Sequence, residues 1–366
     1  MKNYLEFEKE IKLLEEEMEA LKSPGAGGIS EVDTNKIKST QDEINMKLKS
    51  VYSNLNSWQK TLVARHEDRP RANYYIKKIF QEFTPLSGDR YFGDDKSVTA
   101  GFGLIENRSV LVIGQEKGED LNSRIEKNFG MMSPEGYRKC IRLMKLADRF
   151  KIPVITFIDT PGAYPGIGAE QRGQASAIAH SIESCMSLKV PNISIIIGEG
   201  GSGGAIALAS SNKVIMLENS IYSVISPEGC ASILWRDPGK SLEAADAMKL
   251  SAQDLLKLGV IDDIVNEPLG GAHRNYEEIA NEVKKTILEN LNLFKNMSPE
   301  EIFEHRKNKF LKIGRDKGFI KSATESDSSL TYELTFTDKA KRILVKNKIA
   351  FIATFLVFFV RIFALF

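Results

Sequence analysis

The chain has 366 residues, is 42% hydrophobic and carries a formal net charge of +1. That size and apolar content support one large core with appendages, and the balanced charge excludes the broad basic surface that tracks nucleic acid. Its three cysteines (Cys140, Cys185, Cys230) are widely spaced, with no Cys-x-x-Cys and no His–Cys pairing, which argues against a metal site and fits a reducing cytoplasm.

In chain order, Phe7, Ile11, Leu14, Met18 and Leu21 recur at spacings of four and three. After the Ser23–Gly28 breaker, Ile44, Leu48, Val51, Leu55, Trp58 and Leu62 repeat the pattern. The spacing predicts two amphipathic helices in an antiparallel hairpin over residues 1–64, either an arm that docks a second subunit or a hairpin packed on its own core. Met1–Leu21 is rich in glutamate and carries no signal-peptide pattern. Further along, Val154–Ile158, Ile193–Ile197, Val214–Leu217 and Ser220–Ile225 read as strands. Three of them run into Gly/Pro loops, Asp159–Gly166, Gly198–Gly204 and Ser226–Gly229, which would meet at one edge of a parallel sheet, where α/β ligand sites sit. Helices are expected at Ala205–Ala209, Leu242–Ala245, Asp254–Leu258 and Tyr276–Leu293, followed by a charged stretch at Pro299–Lys317.

The loop Gly198-Glu-Gly-Gly-Ser-Gly-Gly204 carries the most chemistry. Without Cβ atoms a ligand reaches the backbone, and the following helix start offers unpaired N–H groups and a positive dipole end. Three patterns overlap there. Gly198–Gly203 fits G-x-G-x-x-G, with Glu218 as the acidic residue eighteen positions after Gly200. Gly200–Gly204 fits the G-x-S-x-G nucleophile elbow around Ser202. The third reading makes the amides themselves an oxyanion hole. A βα unit precedes the loop and only about two helical turns fit after it, so the dinucleotide reading is minor. The serine hydrolase reading needs a histidine, and His273 follows Asp262 and Asp263 in a workable order. However, His273 sits in a polar loop, Gly-Gly-Ala-His-Arg-Asn, with no sign of burial. The motif-like Ala247–Leu250 (around Lys249), Gly239–Ser241 and Asp159–Gly162 lack the context that biotinylation, a P-loop or a GTPase switch needs.

Residues 1 to about 319 resemble the alpha subunit of bacterial-type acetyl-CoA carboxylase carboxyltransferase. The resemblance rests on Arg65–Pro70, Gly88–Arg90, Asn128–Met132, Pro134–Lys139, Phe157–Gly166, Glu170–Gly173, Gly198–Gly204, Tyr222–Trp235 and Glu267–Asn275, in that order. It implies an α/β, crotonase-like (ClpP/crotonase) ββα spiral over residues 65–319. It also implies transfer of the carboxyl group of carboxybiotin to acetyl-CoA, giving malonyl-CoA, with biotin held on a separate carrier protein and no metal in this chain. By the same resemblance the oxyanion role falls on Gly200, Gly201, Gly203 and Gly204, facing biotin. Gly162 and Ala163 are second candidates, and Ser226, Pro227, Glu228 and Gly229 line the same edge or brace Trp235. Arg65–Arg71 either meets CoA phosphates or is a solvated loop. The implied partners are a zinc-ribbon beta subunit in an α2β2 assembly, biotin carboxyl carrier protein and biotin carboxylase, in the cytoplasm. Another acyl-CoA such as propionyl-CoA stays open, because carboxyltransferases of this fold share the chemistry.

Beyond Phe319 the chain departs from that family. Residues 320–348 form a polar, then basic, linker, and Ile349–Phe366 is an apolar tail with Arg361 as its only charge. At eighteen residues it sits near the lower limit for a bilayer span, so it is a short tail anchor, an interfacial helix or an extension without a role.

Overall fold

The computed structural model describes residues 3–22 and 34–314. The expected linker and apolar tail lie outside the described residues, among which no helix is long and apolar enough to cross a membrane.

At the N-terminus, helices α1 (Lys9–Lys22) and α2 (Thr34–Tyr52) pack on each other through Ile11, Ile44 and Leu48. The second periodic stretch is broken where the sequence reading ran on. Asn56 accepts from Gln59 N while Gln59 reaches back to Asn56 N, a capping box that starts a separate helix α3 (Ser57–Ala64). Trp58, assigned to the hairpin from its spacing, packs instead with Ala64, Ile221, Ala245 and Leu250 of the main body. Arg274 ties the hairpin down, donating to Glu8 at 2.9 Å and to Glu15 at 2.6 Å.

After helix α4 (Ala72–Ile79) come three strands missed from the sequence, β1 (Gln81–Pro85), β2 (Val98–Ile105) and β3 (Arg108–Gln115). Then follow α5 (Leu121–Glu126), α6 (Pro134–Arg149), β4 (Val154–Thr160), α7 (Ile167–Gln171) and α8 (Gln174–Ser187). β5 (Asn192–Gly201) leads into α9 (Ser202–Ala209), β6 (Lys213–Leu217), β7 (Ile221–Ser223), α10 (Pro227–Leu234) and α11 (Ser241–Met248). The described chain closes with α12 (Ala252–Lys257), β8 (Asp263–Val265), α13 (Tyr276–Leu293) and α14 (Pro299–Lys312).

Among the described residues the strands form one mixed sheet in the order β1-β2-β3-β4-β5-β6-β8. β1, β2 and β3 pair antiparallel, and β3 to β8 are parallel. The sheet splits at β5, whose Ile193–Ile196 pairs with β6 and whose Glu199–Gly201 pairs with β7. Both faces are covered. Tyr137, Leu143, Ala177 and Leu208 pack on one side; Tyr75, Ile76, Val283 and Ile287 pack on the other. This explains why β4 and β5 read as unbroken apolar runs: every residue of both is buried.

Helix α14 carries a feature hidden in its charged sequence. Arg306 is fully buried and donates to the carbonyls of Met186, Leu188 and Val190 and to Oδ1 of Asn192 and Asn212. One guanidinium thus satisfies the carbonyls of the α8–β5 connection, which would otherwise be buried without donors.

Candidate active site

The strand before the glycine loop is longer than its apolar run, because β5 continues to Gly201. Gly200 is paired to Thr160 of β4 and to Tyr222 of β7, and Gly201 to Ser223. Their main-chain groups therefore belong to sheet ladders. The chain then turns sharply at Ser202, an exposed residue with φ +52°, and α9 begins with no side chain capping its first turn. The N–H groups of Gly203 and Gly204 lie in that first turn, where an α-helix has no internal acceptors.

The glycines serve different purposes. A Cβ on Gly201 would sit 2.2 Å from the Pro161 carbonyl oxygen, and one on Gly204 2.5 Å from the Gly162 carbonyl carbon. Both positions are bare so that the loop after β4 can lie against the start of α9, a packing demand that the sequence reading had assigned to ligand access. Gly203 differs: a Cβ there meets only Ile178, at an ordinary 3.6 Å. Gly162, a second-rank donor candidate, has its N–H turned to Thr160 Oγ1 at 3.2 Å. The neighbouring Ala163 N lies 3.0 Å from where a Gly204 Cβ would be.

The third loop joins the same edge. Ser226 caps α10 by accepting from Gly229 N, with Pro227 at the first helical position. Ser226 and Gly229 are thereby engaged in building that turn. Glu228 is held by Arg65 at 2.6 Å.

Beneath the glycine segment lies an ion network the sequence reading missed. Lys117 bridges Asp159 Oδ1 at 2.8 Å and Glu199 Oε2 at 3.1 Å. Arg71 pairs with Asp159 at 3.0 Å, Arg65 with Glu199 at 2.7 Å, and Glu199 N donates to Asp159 Oδ1. Burial alone would raise both carboxyls; Lys117, with Arg71 for Asp159 and Arg65 for Glu199, holds both below their ordinary values. Arg69 and Glu267 make a further pair, both side chains fully buried. The Arg65–Arg71 cluster is thus no solvated loop: all three arginines are ion-paired within the fold, Arg69 and Arg71 buried and Arg65 with 26% of its side chain exposed. A signal was present, since acidic residues that close strands buried on both faces need cationic partners.

The histidines do not serve Ser202. His273 was expected in a solvated loop, yet its ring stacks on His66 with centroids 3.9 Å apart, and both its nitrogens are buried. Its neighbours Gly270 and Gly271 lie against Leu48 and Tyr52 of α2, which a local hydropathy reading does not see. Burial, then His66, Arg69 and Arg274, push its pKa down to about 2. His180 contacts Ser176, and His305 contacts Asn212 and Phe294. Among the described residues no hydrogen bond joins Ser202 to an imidazole. Glu8, His66 and His273 place possible metal-ligand atoms within 4.8 Å of one another. However, His66 already bonds Asn3 O and Asp68 N, and Glu8 already accepts from Leu5 N, Tyr52 and Arg274. Parallel stacked rings also aim their in-plane lone pairs past a common point. Lys249, the decoy for biotin attachment, ends helix α11 in a left-handed conformation, away from any hairpin tip.

What the edge offers is a set of fixed amide donors at a helix start, with the nearby carboxylates neutralised by their own cations. Chemically, donors so arranged suit a developing negative oxygen.

Residues 4–314 match the family described as acetyl co-enzyme A carboxylase carboxyltransferase-like. The chain is 65% identical to the acetyl-coenzyme A carboxylase carboxyl transferase subunit alpha of Pelagibacter ubique, over 348 residues, 95% of this chain and 93% of the relative. That match is longer than the stretch up to Phe319, so the likeness to this relative continues past that residue. The subunit alpha of Methylobacterium nodulans is 53% identical over 86% of this chain and 99% of the relative. Among solved structures, transcarboxylase 12S superposes with a TM-score of 0.51 at 16% identity, covering 63% of this chain and 44% of that one, a likeness of fold alone. The expected crotonase-like fold therefore holds, and the chain belongs to the family of acetyl-CoA carboxylase carboxyltransferase alpha subunits.

Proposed function

We propose that this chain is one half of a carboxyltransferase that moves a carboxyl group from carboxybiotin to acetyl-CoA, giving malonyl-CoA. The observation that carries the reading is the uncapped first turn of α9, where no side chain takes up the amides of Gly203 and Gly204. Carboxybiotin, presented by a separate carrier protein, supplies the carboxyl group and leaves an anionic ureido oxygen. Toward that oxygen the fitting groups are the N–H donors of Gly203 and Gly204, aided by the dipole of α9. Gly200 and Gly201 shape the turn, and Gly162 and Ala163 wall it. Deprotonated acetyl-CoA attacks the transferred carbon, and the donors for its thioester come from a partner beta subunit. An α2β2 assembly in the cytoplasm, served by biotin carboxyl carrier protein and biotin carboxylase, completes the proposal.

A second reading has one observation behind it: Ser202 occupies an exposed, left-handed elbow between strand and helix, as a hydrolase nucleophile does. Among the described residues, however, no histidine is hydrogen-bonded to Ser202. The decisive experiment is co-purification with the beta subunit, followed by malonyl-CoA decarboxylation with free biotin as acceptor. Biotin-dependent release of acetyl-CoA supports carboxyl transfer. Its absence, together with fluorophosphonate labelling of Ser202, would replace it with the hydrolase.

A further inference from the structure

We infer that Gln115 and Lys117, at the exit of β3, are positioning residues for the amide donors at the start of α9. This inference rests on the carboxyl-transfer reading above. The segment Glu199–Gly204 holds a left-handed serine at Ser202, a conformation that persists only where the surroundings enforce it. Both ends of that segment are gripped from one place. Gln115, fully buried, donates from Nε2 to the Gly204 carbonyl at 2.8 Å. Lys117, whose side chain is 12% exposed, reaches Glu199 at 3.1 Å and Asp159 at 2.8 Å. Between them, Glu116 is anchored by accepting from Asn73 N and Gly118 N. Glu199 is fixed a second time, since its own N–H donates to the Asp159 carboxylate that Lys117 holds. Gly130 sits against the stem of Lys117, leaving 2.8 Å between its would-be Cβ and Lys117 Cγ, so the lysine has little freedom to swing.

Neither residue reaches the reacting atoms; each acts through the backbone it holds. A donor misplaced by about an ångström costs on the order of 100-fold in rate, while ground-state binding of the CoA substrate is untouched. The test uses the complex with the beta subunit, turning over malonyl-CoA with free biotin. Gln115→Met keeps the volume and removes the bond to Gly204. Lys117→Met removes the charge bridge, and Lys117→Arg retains a cation. Expected are kcat values lowered roughly 10-fold for Gln115→Met and 100-fold for Lys117→Met, with KM for malonyl-CoA within about twofold of the parent. Lys117→Arg recovers part of the loss, and amide exchange across 202–205 quickens in both methionine variants. Should Lys117→Met fail to assemble, Gln115→Met alone decides. Parent-like kcat in that variant, or a loss that scales only with the fraction unfolded, overturns the inference while leaving carboxyl transfer standing. A parent complex inactive with malonyl-CoA and biotin removes both.

Discussion

Alanine placed in turn at Gly201, Gly203 and Gly204 separates packing from donation at the glycine loop. At Gly201 the new Cβ would lie 2.2 Å from the Pro161 carbonyl oxygen, more than an ångström inside the 3.4 Å at which ordinary contact begins. The obstacle is backbone on both sides, one of them in the sheet, so relief requires moving β5 or the loop after β4. Overpacking of a close-fitted core costs about 1–3 kcal/mol, and a backbone obstacle belongs at or above the top of that range. Gly204→Ala meets the Gly162 backbone at 2.5 Å and follows the same logic. Gly203→Ala meets only Ile178 at 3.6 Å, sits in a helix, and keeps its N–H. Alanine in place of helical glycine stabilises by up to about 1 kcal/mol, less in a first turn. Thermal unfolding of the complex is the assay, read beside malonyl-CoA turnover. The Gly201 and Gly204 variants should lose roughly 5–10 °C, whereas Gly203→Ala should hold or gain a degree or two and keep turnover within a few-fold. Equal melting of all three variants would refute the steric argument. By the same contrast, a bulkier change such as Gly201→Val would report unfolding and not catalysis.

Substitutions at three other positions test separate parts of the account. Ser202→Ala should keep most activity and Ser202→Gly should add about 1 kcal/mol by relieving the φ of +52°, measured by turnover and melting; a dead Ser202→Ala complex restores the nucleophile. Arg306→Leu removes one donor from each of five acceptors, two of them (Asn192 Oδ1 and Asn212 Oδ1) keeping a backbone N–H, and should cost about 3–5 kcal/mol, read as a lowered urea midpoint with unchanged slope. His273 is neutral in the fold, with its pKa near 2 against 6.5 unfolded, so the unfolded chain binds the extra proton below pH 6.5. Stability is therefore full above pH 6.5 and falls by about 1.4 kcal/mol per unit below it; His273→Phe should flatten that slope, and identical slopes would contradict the burial argument.

The sequence was most legible where local pattern and tertiary role coincide. The runs before Asp159 and Gly198 are apolar because both faces of β4 and β5 are covered, and the three Gly/Pro loops do gather at one edge. It was least legible where one residue type serves opposite ends. Arg65, Arg69, Arg71 and Arg306 all look like solvated charge, and whether such a side chain is buried depends on a partner more than 80 residues away. For Arg65 that partner is Glu199, for Arg69 Glu267, and for Arg71 Asp159; Arg306 binds Asn192. The break between α2 and α3 was readable in Asn56 and Gln59, but the heptad-like spacing spans the break and conceals it. Phe7→Asp with Met18→Asp would not separate a docking arm from a self-packed hairpin. Phe7 lies edge-on to Tyr52 and Met18 packs with Ile11 and Ile44, so charge at those positions would collapse the hairpin before reaching any partner.

Electrostatic balance at the site decides what stabilises the anion. Arg65, Arg71 and Lys117 face Asp159, Glu199 and Glu228, three formal positive charges against three negative. A neutral cluster attracts no anion over distance; its worth lies in fixing the backbone it touches. Glu199 heads the segment that ends in Gly204, so the same six charges that cancel one another also set the direction of the amides beyond. On the proposed carboxyl-transfer reading, stabilisation of the developing oxygen falls to the main-chain donors, each worth about 2.7–4 kcal/mol where such donors have been removed from other enzymes. Two donors of that size would supply only part of a typical enzymatic barrier reduction of 8 kcal/mol or more, roughly 5–8 kcal/mol between them. The remainder must be furnished across the subunit interface, which is why the isolated chain is expected to hold its fold and show negligible turnover until the beta subunit is added.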